Sequence, residues 1–97
     1  MLDLSMNDLN LNFGALAAGI AANGRIISLK LQNNCIDGRK HQNYLIDMLR
    51  DHRSLTSLDF GNSDAIKNRN RINNDGLFAI AQAMYESQYS LISELHL

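Results

Sequence analysis

Three histidines, one cysteine and a short run of cations are the residues of this chain whose chemistry reaches beyond packing. A metal site needs several ligands at matching spacing. His41 and His52 are eleven residues apart, near opposite ends of one expected helix, so they do not share an ion. With no Cys or second His at ligand spacing, neither zinc nor another cofactor is expected. Cys35 reads as a small, half-buried filler, because a reactive thiol needs neighbouring cations. Ser, His and Asp all occur, yet their nearest approaches fall on an open sheet. No pocket there excludes water or holds a base against a nucleophile. Neither a Gly-Lys-Ser/Thr phosphate loop nor a dinucleotide glycine pattern is present. The expectation is a protein that is not an enzyme.

Binding chemistry is better represented. Lys67, Arg69 and Arg71 fall within five residues and close a polar stretch, Gly61 to Arg69, that begins with the turn formers Gly61 and Asn62. Such a loop either pairs with an acidic partner or a phosphate group, or is merely solvated. A second group emerges from the leucine spacing described below. Asp3, Lys30, Asp59 and His96 occupy one outward column of successive strands, alternating in sign. Adjacent strands lie about 4.8 Å apart, so the column either neutralises itself or forms a charged strip that a partner reads in register. Ser28, Ser57 and Glu94 flank it on one side, and Ser5, Gln32 and Gly61 on the other. These columns carry no aromatic anchor of the kind that dominates interface energetics. The candidate partner-binding residues are therefore Asp3, Ser28, Lys30, Gln32, Ser57, Asp59, Glu94 and His96, with Lys67, Arg69 and Arg71 on the insertion.

The elements that position these residues follow from an internal repeat. Leu2, Leu29, Leu58 and Leu95 recur at intervals of 27, 29 and 37 residues. Leu4, Leu31, Phe60 and Leu97 follow two positions later, so each pair faces one side of a short strand. An Asn stands three residues after Leu4 and Leu31, at Asn7 and Asn34. Asn70 is its counterpart in the third unit, displaced by the insertion. The period then changes to three and four, in Phe13, Leu16, Ala17 and Ile20, in Leu45, Met48 and Leu49, and in Leu77, Ile80, Ala81 and Met84. Asp37-Gly38 and Asp75-Gly76 precede two of these stretches and predict Asp N-caps. His52 and Arg53 are expected to place cations at the electronegative end of the second helix. Tyr44, Tyr85 and Tyr89 fall on or after helices, where partial burial is expected.

Each unit is thus strand, turn, helix, and stacking on a copy of itself is what buries its apolar stripe. The expected fold class is α/β, a curved parallel sheet with helices outside. The units run approximately over 1–24, 25–53 and 54–90, the last with the insertion near 61–69, followed by a partial repeat over 91–97. Asn7, Asn34 and Asn70 would form a column that satisfies backbone groups leaving the sheet.

The segments Ile26-x-x-Leu29-x-Leu31-x-x-Asn34-x-Ile36 and Leu2-x-Leu4-x-x-Asn7-x-Leu9 resemble the leucine-rich repeat, and the 27- and 29-residue spacing with a full helix resembles its ribonuclease-inhibitor-like subtype. The resemblance spans essentially the whole chain, about three and a half repeats, and departs from the pattern at the insertion. It implies a solenoid that binds another protein on its concave sheet face. Among similar proteins that role extends to GTPase activators or inhibitors and to sensor arms of signalling receptors. The chain opens and stops on a strand without a recognisable cap, so further repeats or caps are expected outside this segment, and marginal stability without them.

Composition agrees with such a module. Ninety-seven residues, 45% hydrophobic and 20% charged, fit one globular domain. A net charge of -1 gives no electrostatic case for nucleic acid or a polybasic membrane contact. Phe13 to Ala22, broken by Gly14 and Gly19, is too short to span a bilayer, and no leader peptide is evident. A lone cysteine excludes a cystine scaffold and favours a reducing compartment, so the expected location is cytoplasmic.

Overall fold

A computed structural model describes residues 1–64, 66–87 and 92–97. Along the chain run β1 (Leu2–Asp3), α1 (Phe13–Ala22), β2 (Ser28–Lys30), α2 (Gln42–Asp51), β3 (Ser57–Asp59), α3 (Asn74–Glu86) and β4 (Glu94–His96). The four strands form one parallel sheet in the order β1-β2-β3-β4. Parallel neighbours require a crossover between them, and each helix supplies one. Register follows the leucines: Leu2 pairs with Leu29, Leu29 with Leu58, and Leu58 with Leu95. Backbone bonds continue the ladder one position further. Leu4 donates to Lys30 O at 2.9 Å, Leu31 to Asp59 O at 2.8 Å and Phe60 to His96 O at 2.8 Å.

The core lies between sheet and helices. Leu29, Leu31, Leu58 and Phe60 meet Phe13, Leu45, Met48 and Leu49, all buried. Burying each large side chain contributes about 1.5–3 kcal/mol. α1 turns Phe13, Ala17 and Ile20 inward and α2 turns Leu45, Met48 and Leu49 inward, as their spacing predicts. Among the described residues, α1 packs on α2 and α2 on α3, while α1 and α3 do not touch.

α3 keeps part of the expected face, with Ile80 buried and Met84 packed against the core, and departs from it elsewhere. Its buried residues are Gly76, Ala79, Ile80 and Ala83, while Leu77 is 44% exposed and Ala81 is also exposed. The reason is a close backbone approach. A Cβ on Gly38 would stand 2.6 Å from Cα of Gly76, and one on Gly76 would stand 2.8 Å from Cα of Gly38. With those backbones in contact, small residues face inward and the larger ones turn outward. Phe78 and Tyr85 are accordingly 67% and 91% exposed. Tyr85 is thus not partly buried as expected. Tyr44 lies across Gly14, whose absent Cβ would meet the Tyr44 ring, and makes an edge contact with Phe13. Tyr89 lies outside the described residues.

The helix ends also differ from expectation. The N-cap of α3 is Asn73, whose side chain accepts a bond from Gly76 N at 3.1 Å, and Asp75 sits in the first turn. Asp37 starts a tight turn, with Oδ1 accepting from the amides of Arg39 at 2.8 Å and Lys40 at 3.1 Å. His41 is the N-cap residue of α2. Its Nδ1 accepts from Asp37 N at 2.9 Å, which leaves the proton on Nε2, 2.9 Å from Asn10 O. At the other end His52 is wholly buried, and neither ring nitrogen has a hydrogen-bond partner. Burial pushes its pKa down. His52 is therefore a neutral core residue and not a cation at the helix terminus.

Candidate functional site

Three turns, one after each of the first three strands, set the edge of the sheet, and asparagine amides join them. Asn34 Oδ1 accepts from Asn7 N at 2.8 Å, and Asn70 Oδ1 accepts from Asn34 N at 3.0 Å and Ile36 N at 2.9 Å. In return Asn34 Nδ2 donates to Leu4 O at 2.9 Å, and Asn70 Nδ2 donates to Leu31 O at 2.7 Å and Phe60 O at 3.0 Å. One carboxamide thus supplies both donor and acceptor where the backbone leaves the ladder. Asn7 and Asn34 each sit between two residues of positive φ, Met6 and Asp8 in the first turn and Asn33 and Cys35 in the second. These left-handed positions turn the chain sharply at both places, and in the second turn the intervening Asn34 is buried.

The strands so fixed carry the outward columns in register. Asp3 pairs with Lys30, Lys30 with Asp59 and Asp59 with His96, while Ser28, Ser57 and Glu94 form the adjoining row. Among the described residues Lys30 closes no ion pair with either carboxylate. The carboxylates are held by their own surroundings instead. Asp59 Oδ2 accepts from Gln32 Nε2 at 2.9 Å and its Oδ1 from Gly61 N at 2.8 Å. Asp3 Oδ1 accepts from Ser5 N at 3.0 Å, and Ser5, with a smaller contribution from the Lys30 charge, holds the Asp3 carboxyl below the usual carboxylate range. The outcome is a row in which the cationic Lys30 lies between two pre-oriented carboxylates, with His96 beyond Asp59. The eight sheet-face residues named from the sequence therefore share one surface.

The insertion is fastened at several points. Asn33, fully buried, accepts from Ser63 N at 2.8 Å and donates to Lys67 O at 3.1 Å. Asn62 brackets Asn70, donating to its carbonyl at 3.0 Å and accepting from its amide at 2.7 Å. Cys35 N donates to Asn68 O at 2.9 Å. Arg71 forms a parallel bridge with Asp37, so its backbone is tied to the second unit while its side chain is exposed. Lys67 and Arg69 are also exposed. Cys35 is half-buried beside Asn68, and burial together with the neighbouring Asp8 carboxylate raises its thiol pKa, which keeps it protonated. Among the described residues no three His, Cys, Asp or Glu side chains come together as metal ligands.

Comparison with family models, with curated proteins and with solved structures returns no match. No helix of the described residues is long and apolar enough to cross a membrane.

Proposed function

We propose that this chain is a segment of a leucine-rich repeat array of the ribonuclease-inhibitor-like type, and that its outward sheet face recognises another protein. The in-register leucines, the asparagine column and packing between neighbouring units alone support the repeat reading. Leu77, Phe78 and Tyr85, exposed on the outer side of α3, are in keeping with further packing partners in a longer array.

The observation that carries the functional reading is the column of Asp3, Lys30, Asp59 and His96 on paired strands, with Asp59 held by Gln32 and Gly61. Side chains held in advance lose little entropy when a partner docks. Their alternation also selects a partner of complementary pattern and penalises a shifted register. The role is recognition, not catalysis, because these groups lie on an open sheet.

The test is affinity capture with the wild-type chain and with the double variant Lys30→Glu, Asp59→Lys, analysed by quantitative mass spectrometry. A specific partner retained by the wild type is expected to fall about tenfold or more with the variant, as misplaced charges do at interfaces. Equal recovery with both proteins removes the sheet face as the binding surface.

A further inference from the structure

Beside the sheet, a groove of about 620 Å³ runs across the turns of all three units, from Asn10 through Cys35–Asp37 and Lys40 to Ile66 and Arg71. Its volume falls in the range that holds a ligand of many atoms, well beyond a single anion. Lys40, Arg69 and Arg71 line it with one acid, Asp37, while the Asp8 carboxylate stands beside Cys35 and Lys40 Nζ donates to Asn10 Oδ1 at 2.8 Å, so cations still outnumber acids at the groove. Asp37 directs Oδ1 to the amides of Arg39 and Lys40, and those bonds hold it ionised and turned towards its own turn. Buried Ile36 contributes apolar lining, and Ile66, 87% exposed, offers an apolar contact. Among the described residues no aromatic ring lines the groove, so they offer no stacking platform of the kind with which single-stranded nucleic acid is bound.

We infer that this groove is a second binding site, for an extended acidic peptide segment of a partner protein, with carboxylates on Lys40 and Arg71 and an apolar side chain against Ile36 and Ile66. Guanidinium groups take carboxylates through paired hydrogen bonds, which gives orientation as well as charge. Lys67 lies on the same insertion but does not line the groove, so the site includes a cation from outside the basic run and omits one within it. The assignment rests on the protein-recognition reading for the class of its occupant, and on the groove itself for its place.

Cys35 is the one cysteine of the chain and lines the groove, so it serves as an internal reporter. The probe is a fluorescein-labelled octapeptide of alternating glutamate and leucine, followed by fluorescence anisotropy. Saturable binding that weakens as salt rises is expected. Lys40→Ser combined with Arg71→Ser should reduce affinity about tenfold or more, and Lys67→Ser should leave it within about twofold. In the unaltered protein the peptide should slow the reaction of Cys35 with N-ethylmaleimide at least about threefold, a readout that does not depend on any variant folding. The sheet-face variant Lys30→Glu, Asp59→Lys should bind the peptide normally, so this site and the sheet face fail separately. Absence of saturable binding, unprotected Cys35, or equal loss with Lys67→Ser would overturn the assignment. So would tighter binding of an oligothymidylate, or competition by inorganic phosphate at the peptide's own concentration.

Discussion

Two buried polar side chains carry opposite consequences. Asn70, in the turn after β3, satisfies the amides of Asn34 and Ile36 and the carbonyl of Leu31 in the turn after β2, and the carbonyl of Phe60 in its own. Replacing it with Ala strands those groups, and each unmade bond to a buried group costs about 1–3 kcal/mol. Asn70→Ala should lower stability by at least about 3 kcal/mol in urea titration, and Asn7→Ala, at an exposed position, by about 1 kcal/mol or less. Asn70→Asp should also destabilise, since a carboxylate accepts but cannot donate to Leu31 O and Phe60 O. His52 lies at the other extreme, buried with both ring nitrogens unpaired. Because burial depresses its folded pKa below the ordinary 6.5, the unfolded chain binds its proton more readily. The stability of neutral His52 is therefore fully present above pH 6.5 and is lost as pH falls from there towards the folded pKa. His52→Leu should gain about 1 kcal/mol at neutral pH by removing unpaired polar atoms. Its advantage over the wild type should widen between pH 6.5 and pH 5, measured as the difference in urea midpoints. A difference that stays flat with pH would show that His52 is not buried neutral.

At the scale of elements, the decisive contact joins two glycines. Gly38 and Gly76 bring the turn before α2 and the first turn of α3 to backbone contact. Ala at either position meets main chain, which cannot swing aside, so each substitution should cost about 1–3 kcal/mol by thermal or urea melting. Because both remove the same approach, the double variant should lose less than the sum of the two. The contact also explains why the inward face of α3 was only partly legible, although the helix itself was. Leucines two apart reveal the strands, and apolar residues three and four apart reveal the inward faces of α1 and α2. Helix packing through Gly76, Ala79 and Ala83 leaves a weak signal, since two large apolar residues, Leu77 and Phe78, turn outward while Ile80 is buried. The Asp-Gly pairs drew attention for the Asp, yet the Gly makes the contact. The same limit applies to the sites. The register of Asp3, Lys30, Asp59 and His96 follows from spacing alone. The hold of Gln32 on Asp59, the tether from Asn33 and the convergence of Lys40 with Arg71 arise between units, where one-dimensional spacing carries no distance, while the bonds of Gly61 to Asp59 and of Asn62 to Asn70 depend on the local path of the insertion within the third unit. Twelve asparagines also made the two tethers indistinguishable from their neighbours.

For the whole molecule, neighbour-to-neighbour packing poses a question of cooperativity. The first unit touches the second and the second touches the third, so on the proposed repeat reading stability is a sum of units and the contacts between them. With few units, loss of one internal contact leaves each remaining piece too small to hold a core by itself. Leu58 is fully buried and pairs with Leu29 and Leu95, whereas Leu2 is half-buried on an edge strand. Leu58→Ala should cost about 2–5 kcal/mol, and Leu2→Ala clearly less. Native-state hydrogen exchange separates the possible responses. If the three units unfold together, Leu58→Ala lowers protection of the Leu31 amide, bonded to Asp59 O, and of the Leu4 amide, bonded to Lys30 O, by the same free energy. If the first unit frays by itself, the Leu4 amide is already weakly protected and does not respond. The asparagine column favours joint unfolding, because opening the second turn releases the Asn34 side chain that holds Asn7 N and Leu4 O. Equal losses at both amides are therefore the expected result, and an unresponsive, well-protected Leu4 amide would show that the first unit holds its structure without the others.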